Sequence, residues 1–251
     1  INRVMFFGLA QPTNNTVLPK SPLYKPEYRE NYIQFDVDKA NALLDEMGLD
    51  ERNGDGIRLL PDGRPMEIIV ETTGENPEHD DMLELVGDSW RQVGIKMFVK
   101  GLQREVLRNR AYTGETIMSI FNGIDNGLAT PNSVPSEFVP VQQDTLQWPK
   151  WGQYYQTDGE AGEAPDMPAA KELMVQYRKW QTGNDAARMA AWQSILDINS
   201  ENMFSIGLIG NVPQPVVVDK DMRNVPEKGI HSWEPGAFFG IYRPDTFWWD
   251  R

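Results

Sequence analysis

Two short apolar runs with a helical pattern between them restrict the fold of this chain more than any other feature. Residues Met66–Thr72 (MEIIVET) follow the pattern of a β-strand, and Ile95–Val99 (IKMFV) form a second strand. Between them, large apolar residues recur at helical spacing, at Met82, Val86, Trp90 and Val93. A strand, a helix and a strand in such close succession predict a βαβ unit, so the expected class is α/β with a parallel sheet.

Another helix is predicted just before this unit. Asp36 suits the N-cap position, because its carboxylate can accept a hydrogen bond from an otherwise free backbone amide. One apolar stripe follows, made of Ala40, Leu43, Leu44 and Met47. We expect the last three residues of this stripe to pack against the sheet that contains Met66–Thr72.

The remaining chain predicts further elements and one long irregular stretch. Helices are expected near the amino terminus and at residues 104–112, 168–180 and 185–200, and strands at residues 116–121, 203–209 and 216–218. Residues 122–167 show no clear periodicity. A loop of that length in a folded domain is usually functional, so we expect binding residues within it.

Composition and charge argue against several classes of function. The net charge is −13, whereas nucleic-acid binding needs clustered Lys and Arg, so no nucleic-acid partner is expected. The chain has no cysteine, which removes disulfides, thiol catalysis and cysteine-bound zinc. Its two histidines, His79 and His231, lack the spacing of a metal motif. We therefore expect no metal site and no cofactor.

The stretch NGDGI at residues 53–57 is similar to part of a calcium loop. With Gly56 as the sixth residue of such a loop, oxygen-bearing side chains fill its other key positions, at Asp55, Asn53, Glu51 and Asp62. However, Ile57 comes one place too early, and a strand rather than a helix should follow. The favoured interpretation is a pair of turns in which Asn-Gly and Asp-Gly supply positive φ, and calcium binding is the alternative.

The same region belongs to a longer pattern. Its residues read FDVDKANALLDEMGLDERNGDGIRLLPDGRPMEIIV, preceded by VMFFGLAQPTNNTVLPKSPLY and followed by LVGDSWRQVGIKMFVKG and LIGNVPQPVVVDKDMRNVPE. In order and spacing, these segments resemble the C-terminal portion of bacterial extracellular solute-binding proteins of family 5. That family serves ABC importers of peptides, nickel complexes and some oligosaccharides. The resemblance covers nearly the whole chain and is weakest at residues 122–167.

The resemblance implies a fold and a division of the chain. Family members have two α/β lobes of a periplasmic-binding-protein-like (class II) fold, and this chain resembles the C-terminal lobe. Residues 1–212 are expected to form that solute-binding lobe, and residues 213–251 a tail that returns to a missing N-terminal lobe. The chain would then be a fragment of a periplasmic or extracytoplasmic, membrane-associated protein whose signal peptide lies in the missing part.

The resemblance also implies a function without catalysis. The protein would capture a peptide-like solute in the cleft between the lobes and deliver it to an ABC permease in the membrane. An oligosaccharide is the alternative solute. A glycoside hydrolase is a further alternative, because carboxylates lie among aromatic residues at Glu160, Glu163 and Asp166. No catalytic motif such as GxSxG or HExxH supports an enzyme.

Candidate solute-binding residues follow from the resemblance and from residue chemistry. In peptide-binding relatives, an Asp after the strand that follows the W-x-x-x-G-I pattern pairs with the α-amino group of the ligand, and the nearest match is Asp125, with Asn122 close by. The run WPKWGQYY adds aromatic side chains that can stack on solutes or cover the core, namely Trp148, Trp151, Tyr154 and Tyr155.

Overall fold

The computed structural model describes residues 1–230 and 243–250, so His231 lies outside the described residues. Backbone contacts divide the chain into two units. The first unit comprises residue 1 and residues 34–122 and 140–165. The second comprises residues 2–33 and 123–139 and the described part of 166–251. No helix among the described residues is long and apolar enough to cross a membrane.

Helices and strands alternate along much of the described chain. The α-helices are α1 Asn2–Met5, α2 Pro26–Glu30, α3 Val37–Glu46, α4 Pro77–Gln92, α5 Arg104–Tyr112, α6 Pro149–Gln156, α7 Pro168–Thr182 and α8 Asp185–Asn202. The β-strands are β1 Gln11–Pro12, β2 Glu67–Thr72, β3 Lys96–Gly101, β4 Met118–Ser119, β5 Ile209–Gly210, β6 Met222–Arg223 and β7 Trp248–Trp249. Short 3₁₀ helices cover Ser136–Phe138 and Pro244–Thr246.

The first unit is built on a parallel sheet of order β3–β2–β4. The central strand β2 pairs in parallel with both neighbours, and Val70 lies opposite Val99 on one side and Met118 on the other. Helix α4 links β2 to β3, as the βαβ prediction requires. Asn76 caps the start of α4, and Gly94 adopts a positive φ of 82° just after its end. The predicted strand at residues 116–121 is reduced to two residues, Met118 and Ser119.

Helix α3 forms where the sequence predicts it but does not pack as expected. The Asp36 carboxylate accepts a hydrogen bond of 2.9 Å from the amide of Lys39, which confirms the N-cap. Leu43 and Met47 are nevertheless 50% and 70% exposed, so the expectation that they pack on the sheet is wrong. The helix is held instead by polar contacts with the chain that follows it. Apolar periodicity in the sequence does not predict such contacts.

Those polar contacts come from Arg58, whose side chain is 1% exposed. Its guanidinium donates to the carbonyl of Val93 at 2.7 Å and to the side-chain oxygen of Asn41 in α3 at 2.8 Å. It also donates to the carbonyl of Leu49 and pairs with Asp45. One buried side chain therefore joins α3, the end of α4 and the turn that follows α3.

The NGDGI stretch is a turn that presents Arg58 to these partners. The Asn53 side-chain oxygen accepts hydrogen bonds of 3.0 Å from the amides of Asp55 and Ile57, and Gly56 adopts a φ of 77°. The predicted turn is confirmed, although Gly54 is not among the residues with positive φ. Since the Asn53 oxygen already accepts from two backbone amides, it serves to close the turn.

A buried carboxylate joins β2 to its neighbours in the first unit. Glu71 is buried and accepts hydrogen bonds from Thr116 at 2.7 Å, from Arg110 of α5 at 2.9 Å and from Lys100 of β3 at 3.4 Å. Burial by itself raises the pKa of the Glu71 carboxyl, but the hydrogen bonds from Thr116 and Arg110 outweigh burial. Its pKa therefore lies below the ordinary value of 4.5.

The lowered pKa predicts a pH-dependent contribution to stability. Because the folded pKa lies below the unfolded one, the contribution of Glu71 is present above about pH 4.5 and is lost as the pH falls through the folded pKa. Glu71→Gln should lower the free energy of unfolding by about 1–3 kcal/mol at pH 7, and this difference should shrink towards pH 3. Urea denaturation at a series of pH values measures it.

Glu67→Gln is the matched control. Glu67 lies on the same strand as Glu71 and pairs with Lys96, directly opposite on β3, but its side chain is partly exposed. Its loss should be about 0–1 kcal/mol. A Glu71→Gln effect that stays constant between pH 7 and pH 3 would show that the ionised carboxylate contributes nothing.

The second unit has its core around α7 and α8. Trp192 of α8 is fully buried, packs edge-on against Phe138 with ring centroids 5.8 Å apart, and donates from its indole nitrogen to the carbonyl of Ser133 at 2.9 Å. Lys25 and Tyr28 both donate to the Asp197 carboxylate, at 2.8 and 2.7 Å, which ties α2 to α8. The hydrogen bond to Asp197 raises the pKa of Lys25 above its ordinary value.

Short antiparallel pairs complete the second unit. β1 pairs with β5 through Gln11 and Gly210, and β6 pairs with β7 through Met222 and Trp249. Of the strand predicted at residues 203–209, only Ile209 lies in a strand, β5, and Val216–Val218 is not a strand. Val217 is almost fully exposed. An apolar run becomes a strand only where another strand pairs with it.

Candidate functional site

The two polar residues predicted to bind solute lie in different units of the chain. Asn122 is an exposed residue of the first unit that follows β4, and Asp125 belongs to the second unit. The Asp125 side chain is exposed. Among the described residues, no cationic group lies within ion-pair distance of its carboxylate. An exposed carboxylate without a partner cation is free to receive a cationic ligand group.

The backbone around Asp125 is held by side chains from elsewhere in the second unit. The amide of Ile124 donates to the Asn15 side-chain oxygen at 2.8 Å, and the amide of Asp125 donates to Glu137 Oε1 at 2.9 Å. The carbonyl of Gly127 accepts from the amide of Leu18 at 2.7 Å. We call residues 123–129 the Asp125 loop. Its supports, Asn15 and Glu137, were not predicted, because no local pattern links them to Asp125.

Glycine allows the Asp125 loop to lie close to the preceding chain. A Cβ at Gly127 would lie 2.8 Å from Leu18 Cγ, and one at Gly123 would lie 2.9 Å from the Asn15 side-chain oxygen. Both distances are too short for a side chain without a shift. The loop therefore follows the chain around Asn15 and Leu18 closely, which fixes the position of Asp125.

The aromatic residues predicted to lie in a loop belong instead to helix α6 and to the residue just before it. Pro149 begins α6, since its fixed φ and missing N–H suit the first helical position. Trp148 is 4% exposed and therefore part of the core of the first unit. Trp151, Tyr154 and Tyr155 are half-buried on α6. Trp151 and Tyr155 are four residues apart, so they share one face of the helix.

Close backbone packing holds α6 in place. A Cβ at Gly152 would lie 1.8 Å from the carbonyl oxygen of Gln142, so only glycine fits there. The Tyr154 ring packs over the turn at Gly159, 3.3 Å from the position a Cβ would take. The amide of Gln143 donates to the Gln156 side chain at 3.0 Å. Tyr154 therefore has a packing role in addition to any role in binding.

The carboxylates considered for glycoside hydrolysis, Glu160, Glu163 and Asp166, are all exposed. A small polar pocket lies elsewhere, in the second unit, and encloses about 20 Å³, enough for about one water molecule. Its lining includes Asn14, Asn15, Asn199 and Ser205. Among the described residues, no group of three or more His, Cys, Asp or Glu side chains is placed to hold a metal ion.

Comparisons with known proteins agree on the family. Residues 1–145, more than half of the chain, match the model described as bacterial extracellular solute-binding proteins, family 5 Middle. The oligopeptide-binding protein OppA has a solved structure that superposes on 100% of this chain and 41% of its own, with a TM-score of 0.77 and 28% sequence identity.

The descriptions of two further relatives mention carbohydrates. A periplasmic α-galactoside-binding protein of Rhizobium meliloti is 22% identical over 203 residues, which cover 78% of this chain and 28% of that protein. The structure of a periplasmic binding protein from Agrobacterium fabrum, solved with stachyose, has a TM-score of 0.63 at 19% identity and covers 79% of this chain and 29% of its own.

These relatives are considerably longer than the chain described here, which spans 41% of OppA and 28% of the α-galactoside-binding protein. The solved structures have the lobed fold of periplasmic binding proteins, and this chain corresponds to a fragment of that fold. The α/β class and the family predicted from the sequence are thereby confirmed. The chain belongs to the bacterial extracellular solute-binding proteins of family 5.

Proposed function

We propose that the natural protein that carries this chain is the solute-binding component of an ABC importer and that it captures a peptide-like solute for a membrane permease. The observation that carries this proposal is the likeness to OppA along the whole chain at 28% identity. Binding takes place without turnover, outside the cytoplasm, and the solute is enclosed between two lobes. In this proposal residues 1–212 belong to the solute-binding lobe and residues 213–251 to a tail that returns to the other lobe.

The Asp125 carboxylate supports a peptide-like solute. It is exposed, it has no partner cation among the described residues, and its backbone amide is fixed by Glu137. A fixed carboxylate can pair with the α-amino group of a peptide, and charge-assisted hydrogen bonds of this kind are about twice as strong as neutral ones. The part of Asn122, Trp148, Trp151, Tyr154 and Tyr155 in binding stays a prediction.

An oligosaccharide is the second candidate solute, and the α-galactoside-binding relative favours it. Sugars carry no ammonium group, so an oligosaccharide would not depend on the charge of Asp125. Aromatic side chains are the usual platforms for sugar rings, and Trp151 and Tyr155 present such a face on α6. The two candidates therefore differ in which residue they require.

Calorimetric titration of the natural protein with tetra-alanine, N-acetyl-tetra-alanine and raffinose tests the proposal. Tetra-alanine should bind, and Asp125→Asn should weaken that binding by at least about tenfold, because the ion pair with the α-amino group is lost. N-acetyl-tetra-alanine lacks that amino group and should bind weakly. Asp166→Asn removes another exposed carboxylate and should leave binding unchanged.

The alternatives have their own outcomes in the same titrations. Binding of raffinose but not of tetra-alanine would replace the peptide-like solute with an oligosaccharide. Hydrolysis of raffinose, detected by chromatography of the products, would establish an enzyme in place of a binding protein. Tetra-alanine binding that Asp125→Asn leaves intact would remove Asp125 from the site.

A further inference from the structure

We propose that Asn15, together with Glu137, positions Asp125 for solute binding, an inference that rests on the proposed function. The amides of two consecutive residues, Ile124 and Asp125, each donate to one of these side chains, at 2.8 and 2.9 Å. Neither Asn15 nor Glu137 touches the Asp125 carboxylate through these bonds. They act on the backbone from which that carboxylate projects, and so they are positioning residues.

Asn15 is itself held on a second side. Its side-chain nitrogen donates to the Ser205 hydroxyl at 3.3 Å, while its oxygen accepts from Ile124. The next residues of the same segment continue the support, since Leu18 donates its amide to the carbonyl of Gly127. The Ser21 hydroxyl donates to the carbonyl of Ala129 at 2.5 Å. The Asp125 loop is therefore supported along its length by residues 15–21.

This support matters because the loop has few bonds of its own. Within it, Leu128 donates to the Asn126 side chain at 3.1 Å and Ala129 donates to the Asn126 carbonyl at 3.3 Å, both after Asp125. The backbone amides of Ile124 and Asp125 donate instead to the side chains of Asn15 and Glu137, which lie outside the loop. A preorganised ion pair loses less conformational entropy on binding, so a loose Asp125 should bind an ammonium group more weakly.

The experiment combines amide exchange with titration of the natural protein. Asn15→Ala should raise the hydrogen-exchange rate of the Ile124 amide at least about tenfold and weaken tetra-alanine binding by about 3- to 10-fold, as the loss of one hydrogen bond predicts. Asn15→Asp keeps an acceptor for Ile124 and should restore the protection of that amide and the binding. Likewise, Glu137→Gln keeps an acceptor for the Asp125 amide, whereas Glu137→Ala does not.

Asn184→Ala is the matched control. Asn184 caps α8 through a 3.0 Å hydrogen bond to the amide of Ala187 and lies in the same unit as Asn15. Its loss should lower stability, as loss of an N-cap does, and leave both the exchange of Ile124 and the binding of tetra-alanine unchanged. The control separates an effect on the Asp125 loop from a general loss of stability.

The outcomes bear on the positioning role and on the proposed function. Faster exchange at Ile124 with unchanged tetra-alanine binding would overturn the positioning role while leaving the proposed function intact. If raffinose binds in place of tetra-alanine, the peptide-like solute fails, and the positioning role fails with it, because raffinose has no ammonium group to pair with Asp125. If the natural protein binds neither probe, the proposed function fails and the positioning role fails with it.

Discussion

Replacing Arg58 with methionine should lower the free energy of unfolding by about 3–5 kcal/mol, the loss expected when a buried charged side chain that donates several hydrogen bonds is removed. Methionine has a similar length, so the effect comes from lost hydrogen bonds more than from an empty space. The carbonyl of Val93 loses a donor at 2.7 Å, and the Asn41 side chain loses one at 2.8 Å. Urea denaturation of wild type and variant measures the difference.

Arg64→Met provides the control for Arg58, because both arginines lie in the same turn region and each pairs with an aspartate. The Arg64 side chain is 75% exposed and pairs with Asp62 at the surface, so its loss should be about 0–1 kcal/mol. If Arg58→Met and Arg64→Met cost the same, Arg58 does not hold α3 in the way the contacts indicate.

Truncating Trp192 to alanine should cost about 3–5 kcal/mol, as for other buried aromatic side chains. The indole fills the core of the second unit against Phe138, and its nitrogen donates to the Ser133 carbonyl at 2.9 Å. Alanine leaves both a cavity and an unpaired carbonyl. Trp192→Phe keeps one aromatic ring and loses the five-membered ring with its N–H donor, so it should cost less than Trp192→Ala.

Trp248→Ala is the control for Trp192, since Trp248 in β7 is about half exposed. Its effect should stay well below that of Trp192→Ala, because less apolar area leaves water on folding. Chemical denaturation followed by far-ultraviolet circular dichroism measures all three variants without relying on tryptophan emission. An equal loss for Trp192→Ala and Trp248→Ala would mean that Trp192 is not at the centre of this core.

Local signals in the sequence predicted the elements of the first unit well. The N-cap at Asp36 and the helix at residues 104–112 depend on interactions between residues close in sequence, and the strand Glu67–Thr72 lies within the predicted apolar run. The NGDGI turn is likewise closed by Asn53 over four residues. Such short-range hydrogen bonds and periodicities are visible before any tertiary contact is known.

The predictions that failed involve contacts between distant residues. Leu43 and Met47 form an apolar stripe and yet are exposed, whereas Arg58 holds α3 through the polar side chains of Asn41 and Asp45. The aromatic run after Trp148 shows no periodicity and predicts a loop, whereas Pro149 begins a helix that packs at Gly152 against Gln142. Apolar periodicity shows which side chains can be buried, and it does not show which surface will cover them.

For the candidate site too, the sequence determined some features and the tertiary structure decided others. The sequence by itself determined the α/β class, the family and the choice of Asp125 as a candidate ligand residue, because each follows from the order and identity of residues along the chain. Only the tertiary structure decided that Trp148 lies in the core and that Asn15 and Glu137 hold the loop around Asp125. Asn15 lies more than 100 residues from Ile124 in sequence, and a single hydrogen bond across that distance leaves no periodic pattern that the sequence could show.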